Sequence, residues 1–175
     1  NSGGANACTG PAGFQDTHAT AEHVAQLLGI GAIDVAVCST GLIGKRLPMD
    51  ALVPGITAAA SALSATGGDD AASAIMTTDS VAKTATTQSA AGWRVGGMAK
   101  GAGMLAPGLA TMLVVITTDA QVESADLDRA LRAATATTFD RIDSDGCMST
   151  NDTVLLLSSG ACPAPVSVLE FDEAV

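Results

Sequence analysis

Apolar and polar residues fall into segments along the chain that predict helices and strands in mixed order. Residues 16–28 are predicted to form a helix, with Asp16 or Thr17 as its N-cap and Gly29 as its end. Ser124 is the predicted N-cap of a later helix. Residues 112–117 (MLVVIT) are the clearest strand, because β-branched side chains fit a pleated surface. The other predicted helices are 48–63 and 124–137, and the other predicted strands are 33–38, 73–78, 93–98 and 153–158. The mixture indicates an α/β or α+β class and leaves the strand order open.

Length and charge narrow the function classes. The 175 residues suffice for one domain with its own core. Eight Lys and Arg against 18 Asp and Glu give a net charge of −10, which disfavours nucleic acids and anionic lipid surfaces. The mean hydropathy is +0.37. Two uncharged stretches, 51–68 and 101–118, are interrupted by Gly and Pro, so we expect no membrane span.

Cysteine and histidine spacing predicts no metal site. The four cysteines form no CxxC pair, which favours reduced thiols in a cytoplasmic protein. His18 and His23 lack an HExxH pattern, so surface histidines are the better interpretation. The segment 143–146 (DSDG) begins like a calcium loop without the later acidic ligands, so we interpret it as a turn.

The glycine-rich segment 96–113 leads directly into the strongest predicted strand through Thr111. Composition alone favours a loop that enters a core strand through a β-friendly threonine. A sharper alternative is an attack of the Thr111 hydroxyl on the Ala110 carbonyl, which would cleave the backbone. Thr111 would then hold a nucleophilic hydroxyl beside a free α-amine that can act as its base. At this point both interpretations stand.

Four sequence blocks resemble the ornithine acetyltransferase (ArgJ) family. They are 1–10 (NSGGANACTG), 38–44 (CSTGLIG), 100–113 (KGAGMLAPGLATML) and 149–153 (STNDT). The resemblance implies an α+β fold, an ArgJ/DmpA-like sandwich with sheets between helix layers. It also implies one catalytic-domain fragment over 1–175, with 1–110 ending an alpha chain and 111–175 beginning a beta chain. A later segment that contributes a site glutamate in this family is not among these residues.

The resemblance assigns roles to individual residues. Thr111 is identified as the nucleophile that becomes acetylated, and Ala110–Thr111 as the self-cleavage bond. Thr40 and Gly41 resemble the family's oxyanion-hole pair, although a turn that needs glycine is the alternative interpretation. Two further residues resemble substrate-binding positions, Thr77 and Lys100. For Lys100 the alternative is a solvated loop lysine.

The activity that the resemblance implies is acetyl transfer from N2-acetylornithine to glutamate by a ping-pong exchange. No cofactor is expected, and acetyl-CoA as a second acetyl donor is left open. The expected partners are the small-molecule substrates and the alpha and beta chains of one precursor, forming a heterotetramer in the cytoplasm. Two alternatives remain: an N-terminal-nucleophile amidohydrolase or aminopeptidase, and a non-catalytic scaffold fragment.

Overall fold

The computed structural model describes the backbone of residues 1–175 and the side chains of 1–108 and 111–175. Helices and a mixed sheet confirm the α+β class. The chain divides into two compact units, Asn1–Thr77 and Thr78–Val175.

The first unit contains three α-helices: α1 (Gly10–Leu28), α2 (Met49–Ser61) and α3 (Gly68–Ala74). Helix α1 begins six residues before the predicted start, since Pro lies in its first turn, where the missing N–H costs nothing. Gly29 ends it in a left-handed conformation (φ 68°), as predicted. Helix α2 matches its prediction closely, although Pro54 lies inside it.

Two predicted strands of this unit are wrong. The segment 33–38 begins in a short 3-10 helix (Ala32–Asp34) and continues without regular structure, and the Ile33 side chain is 95% exposed. An apolar run becomes a strand only when a neighbour completes its hydrogen bonds, and no described strand pairs with this one. The segment 73–78 begins with the last two residues of helix α3 and continues as a turn and bends. Alanines favour that helix, and Asp69 and Asp70 suit its N-terminal dipole.

The second unit is built on a four-stranded sheet in the order β1-β2-β5-β6. Its strands are β1 (Lys83–Gln88), β2 (Arg94–Lys100), β5 (Leu113–Ala120) and β6 (Thr153–Cys162). Strands β1, β2 and β5 are antiparallel neighbours, whereas β5 and β6 are parallel. Between β2 and β5, the short strands β3 (Leu105–Ala106) and β4 (Leu109–Ala110) form a separate hairpin. The strand predictions for 93–98, 112–117 and 153–158 are thereby confirmed.

Two helices of this unit contribute residues to the hydrophobic core that the sheet helps to form. Helix α4 (Ser124–Thr137) has the predicted bounds and joins the parallel strands, but Glu123 rather than Ser124 is its N-cap residue. Helix α5 (Val168–Ala174) was not predicted. The buried cluster contains residues of β2, β5 and both helices, with the Trp93 and Phe171 ring centroids 5.8 Å apart. This core fixes β5, the strand that follows Thr111.

Candidate active site

In the first unit, the N-terminal block and the loop that carries Thr40 are joined by hydrogen bonds. The Asn1 side-chain oxygen accepts from the Thr40 backbone N–H (3.1 Å) and from the Ser39 hydroxyl (3.1 Å). An isolated parallel bridge pairs Gly4 with Leu42. Two of the resemblance blocks therefore form one structural element. Thr40 follows an irregular segment rather than a strand, and only 1% of its surface is exposed.

Gly41 occupies a position that no other residue fits without rearrangement. Its φ is +139°, in a region that disfavours L side chains. A Cβ atom at Gly41 would lie 2.1 Å from the carbonyl oxygen of Gly3. The loop thus requires glycine at this position, as the turn interpretation expected. A turn that needs glycine is compatible with an oxyanion-hole role of the Gly41 backbone N–H.

Thr77 lies after helix α3 and is exposed. The sequence placed it at the end of a strand, whereas the structure places it at the end of the first unit.

In the second unit, the backbone of Thr111 is fixed by the preceding turn. The Thr111 N–H donates to the Met104 carbonyl oxygen at 2.8 Å. Met104 adopts a left-handed conformation (φ 54°), and its own N–H donates to the Asp145 carboxylate at 2.9 Å. Backbone hydrogen bonds from Met104 and Cys147 lower the pKa of Asp145, so its charged form is favoured. The predicted turn at 143–146 therefore holds the segment before Thr111.

The Thr111 side chain also has a defined partner. Its hydroxyl donates to the Ser149 hydroxyl oxygen at 2.7 Å. Ala110, the other residue of the expected cleavage bond, lies outside the residues whose side chains the structure describes. The hairpin before Thr111 turns at Gly108, whose φ is +72°.

Lys100 ends strand β2 and is only 2% exposed, so its interpretation as a solvated loop lysine is wrong. Its Nζ lies 3.8 Å from an oxygen of the buried Asp79 carboxylate. Burial lowers the pKa of Lys100, while the charge of Asp79 opposes that shift.

The Asp79 carboxylate has two further hydrogen-bond donors besides its ion pair with Lys100. The same carboxylate accepts from Lys83 Nζ at 2.5 Å and from the Gly101 N–H at 2.7 Å. A Cβ atom built on Gly101 would lie 3.3 Å from the Thr111 carbonyl oxygen. The end of β2, with Lys100, therefore lies next to the backbone of Thr111.

The sequence analysis missed four residues of this arrangement: Asp79, Lys83, Asp145 and Ser149. Two of them lay in segments that it did single out, Asp145 in the DSDG turn and Ser149 in the STNDT block. The contact of Asp145 with Met104 spans 41 positions and that of Ser149 with Thr111 spans 38, so short-range spacing does not reveal them. In the described part of the chain, no group of three or more His, Cys, Asp or Glu residues could hold a metal ion. No described helix is both long and apolar enough to cross a membrane.

These features define an α+β protein with a candidate threonine nucleophile at the start of a central strand. The chain belongs to the ArgJ family, whose profile it matches over residues 1–175. It is 71% identical to the arginine biosynthesis bifunctional protein ArgJ of Streptomyces coelicolor and 64% identical to that of Mycobacterium leprae. Both alignments cover 100% of this chain and 45% of the relative. The chain thus spans less than half the length of these curated relatives.

A solved structure supports the fold. The crystal structure of the arginine biosynthesis bifunctional protein argJ from Bacillus halodurans superposes with a TM-score of 0.54 and 38% sequence identity. The superposition covers 65% of this chain and 59% of the crystal chain.

Proposed function

We propose that the complete gene product transfers an acetyl group from N2-acetylornithine to glutamate through an acetylated Thr111. The observation that carries this proposal is the position of Thr111 in a chain of the ArgJ family. Its backbone nitrogen and its hydroxyl each have a defined hydrogen-bond partner, at 2.8 and 2.7 Å. These are the two groups that an N-terminal threonine nucleophile uses, as base and as attacking atom.

The first step of the proposed mechanism is self-cleavage between Ala110 and Thr111. The Thr111 hydroxyl oxygen attacks the Ala110 carbonyl carbon, the C–N bond breaks, and the freed nitrogen gains the proton that the oxygen loses. Water then hydrolyses the ester, which leaves a carboxylate on Ala110 and a free α-amine on Thr111. An α-amine has a pKa of about 8, so near neutral pH part of it can accept the hydroxyl proton in each later turnover.

The transfer itself takes two steps. Thr111 Oγ1 attacks the acetyl carbonyl of N2-acetylornithine, and ornithine leaves with the proton that the α-amine took. The amine of glutamate then attacks the acetyl-threonine ester, returns a proton to Thr111, and leaves as N-acetylglutamate. Both steps build negative charge on one carbonyl oxygen, and each donor to such an oxygen is worth roughly 10²–10³ in rate.

The Thr40 hydroxyl and the Gly41 backbone N–H are proposed to donate hydrogen bonds to that oxygen. The support is that their loop is buried at Thr40 and held rigid by Asn1, which preorganised donors require. Lys100 is proposed to bind a substrate carboxylate on the family resemblance; burial lowers the pKa of Lys100, and the carboxylate of Asp79 opposes that shift. Thr77 is proposed as a further substrate contact, on the family resemblance alone.

The partners are proposed with the activity. They are the two amino-acid substrates and the alpha and beta chains of one precursor, assembled as a heterotetramer in the cytoplasm. Residues 1–175 are proposed to be one catalytic-domain fragment that ends the alpha chain at 110 and begins the beta chain at 111. The proposal needs no cofactor, and acetyl-CoA is proposed as an additional donor to be tested.

Intact-mass spectrometry of the complete gene product tests this function. The wild type should be cut after residue 110, Thr111→Ala should stay uncut and inactive, and Thr111→Ser should be cut more slowly. Acetylation of glutamate is then measured with N2-acetylornithine and with acetyl-CoA as separate donors. An active wild type that remains uncut would refute the proposed mechanism. Acetyl release to water at the same rate with and without glutamate would favour the amidohydrolase.

A further inference from the structure

The loop before β6 brings a second hydroxyl to the nucleophile. Strands β5 and β6 are parallel neighbours, with Leu113 paired to Thr153, so the segments that precede them lie at the same edge of the sheet. The Thr153 N–H donates to the Met112 carbonyl oxygen at 3.0 Å and ties the two strand starts together. Ser149, which is 38 positions from Thr111 in sequence, thereby comes within 2.7 Å of its hydroxyl oxygen.

From this contact we propose that Ser149 is a catalytic residue of self-cleavage, which takes the proton of the Thr111 hydroxyl as that oxygen attacks. The inference rests on the proposed function, because it assigns a role within the cleavage step. The direction of the hydrogen bond fits this role, since Thr111 is the donor and Ser149 the acceptor.

The proton balance of the step is closed. The Thr111 oxygen forms a bond to the carbonyl carbon of residue 110 and loses its proton to the Ser149 oxygen. Ser149 passes its own hydroxyl proton to the Thr111 nitrogen as the bond between that nitrogen and the carbonyl carbon breaks, so Ser149 ends as a neutral hydroxyl that carries the proton taken from Thr111. A serine can take part in this way before cleavage, when the α-amine that later serves as base is still an amide and cannot accept the proton.

The backbone contact has a complementary effect. The Met104 carbonyl oxygen holds the Thr111 N–H at 2.8 Å, so the nitrogen is fixed while the hydroxyl is aimed by Ser149. Two fixed points on one residue leave its χ1 rotamer little freedom, and threonine is already restricted at χ1. Ser149 is half-buried, and its neighbour Thr150 is exposed and donates instead to the Asn151 side chain.

The experiment follows self-cleavage of the purified precursor of the complete gene product. Ser149→Ala should slow cleavage about 100-fold, the lower end of what positioned proton transfer contributes. Ser149→Thr keeps the hydroxyl and should cleave within about threefold of the wild type. Thr150→Val is the matched control, because it removes a neighbouring hydroxyl that does not touch Thr111, and it should cleave at the wild-type rate.

Hydroxylamine separates the step that is affected. It cleaves an accumulated ester, so it should not accelerate Ser149→Ala, in which the attack that forms the ester is slow. Cleavage of Ser149→Ala at the wild-type rate, or a rescue of this variant by hydroxylamine, would overturn the inference and leave the proposed function intact. A wild type that never cleaves after residue 110 would instead overturn the proposed function.

Thermal unfolding shows whether Ser149→Ala is folded. If it is not, Ser149→Cys replaces it, since a thiol fills the same space but is a weak acceptor. The inference then requires Ser149→Cys to cleave at least about tenfold more slowly than Ser149→Thr. Equal rates for these two variants would overturn it.

Discussion

Asp79→Asn removes the negative charge that faces Lys83 and Lys100 and keeps the shape of the side chain. The Asp79 side chain is fully buried and faces two cations, Lys83 at 2.5 Å and Lys100 at 3.8 Å. An asparagine oxygen can still accept the Gly101 N–H, so the backbone contact is retained. The variant therefore isolates the charge of Asp79.

The expected loss of stability follows from what remains. The Lys83 side chain is 45% exposed and can turn to solvent, whereas that of Lys100 is 1% exposed and stays inside. Removing one partner of a buried ion pair costs about 3–5 kcal/mol, and the retained hydrogen bond favours the lower end. At about 2–4 °C per kcal/mol, 3 kcal/mol corresponds to a melting temperature lower by roughly 6–12 °C.

The pH dependence has a definite sign. The pKa of Lys100 is lowered in the folded protein, so between that value and the ordinary 10.5 the unfolded chain binds more protons. Stability contributed by this group therefore rises with pH through that window, as the buried lysine loses its charge. Without Asp79 the pKa of Lys100 falls further, so the deficit of Asp79→Asn should shrink as the pH is raised from neutral towards 10.5.

Thermal unfolding of the complete gene product, between neutral pH and pH 10, is the assay. Asp79→Asn combined with Lys100→Met removes both charges and should recover at least half of the lost melting temperature. Asp128→Asn is the control, because it breaks a surface ion pair: the Asp128 side chain is 60% exposed and that of its partner Arg132 is 78% exposed. It should change the melting temperature little. An Asp79→Asn loss under about 2 °C, or one that neither Lys100→Met nor higher pH reduces, would refute this reasoning.

Two further variants test the loops beside the candidate nucleophile and oxyanion donors. Gly41→Ala should abolish acetyl transfer and lower the melting temperature, since its Cβ would lie 2.1 Å from the Gly3 carbonyl oxygen. Gly44→Ala is the control, because Gly44 also has a positive φ but a Cβ there would have nothing within 4 Å. Equal losses of melting temperature in the two variants would contradict the clash. Asp145→Ala should slow self-cleavage about tenfold in a mass-spectrometric time course, because the Met104 N–H loses its hydrogen-bond acceptor. Asp145→Asn keeps an acceptor oxygen and should slow cleavage less. Cleavage of Asp145→Ala at the wild-type rate would contradict this prediction.

Local pattern was sufficient for the elements that satisfy their own hydrogen bonds or form the core of the sheet. Helix α4 has its predicted bounds, and β5 was identified by its β-branched residues. Strand β1 was missed because its sequence KTATTQ is polar and all six residues are exposed at the sheet edge. Its strand conformation depends on the pairing with β2, which no local pattern contains.

The candidate site shows the same limit. The resemblance identified Thr111 and Lys100, yet the side chains that fix them come from elsewhere in the chain. Asp79 lies 22 positions from the Gly101 N–H that it accepts, and Ser149 lies 38 from Thr111. The segment 76–79 was singled out for Thr77 alone, and nothing in it indicates that Lys100, 21 positions further on, will face the Asp79 carboxylate. Burial makes that charge consequential, and burial is a property of the folded chain.

The four blocks of the family resemblance combine into two structural elements. The block 1–10 pairs with 38–44 through the Gly4–Leu42 bridge, in the first unit. In the second, 100–113 meets 149–153 through Thr111 and Ser149. Each block therefore supplies one side of a contact whose other side comes from a block elsewhere in the sequence. It follows that a substitution in one block should be interpreted through its partner: a change at Ser149 concerns the nucleophile, and a change at Asn1 concerns the backbone of Thr40.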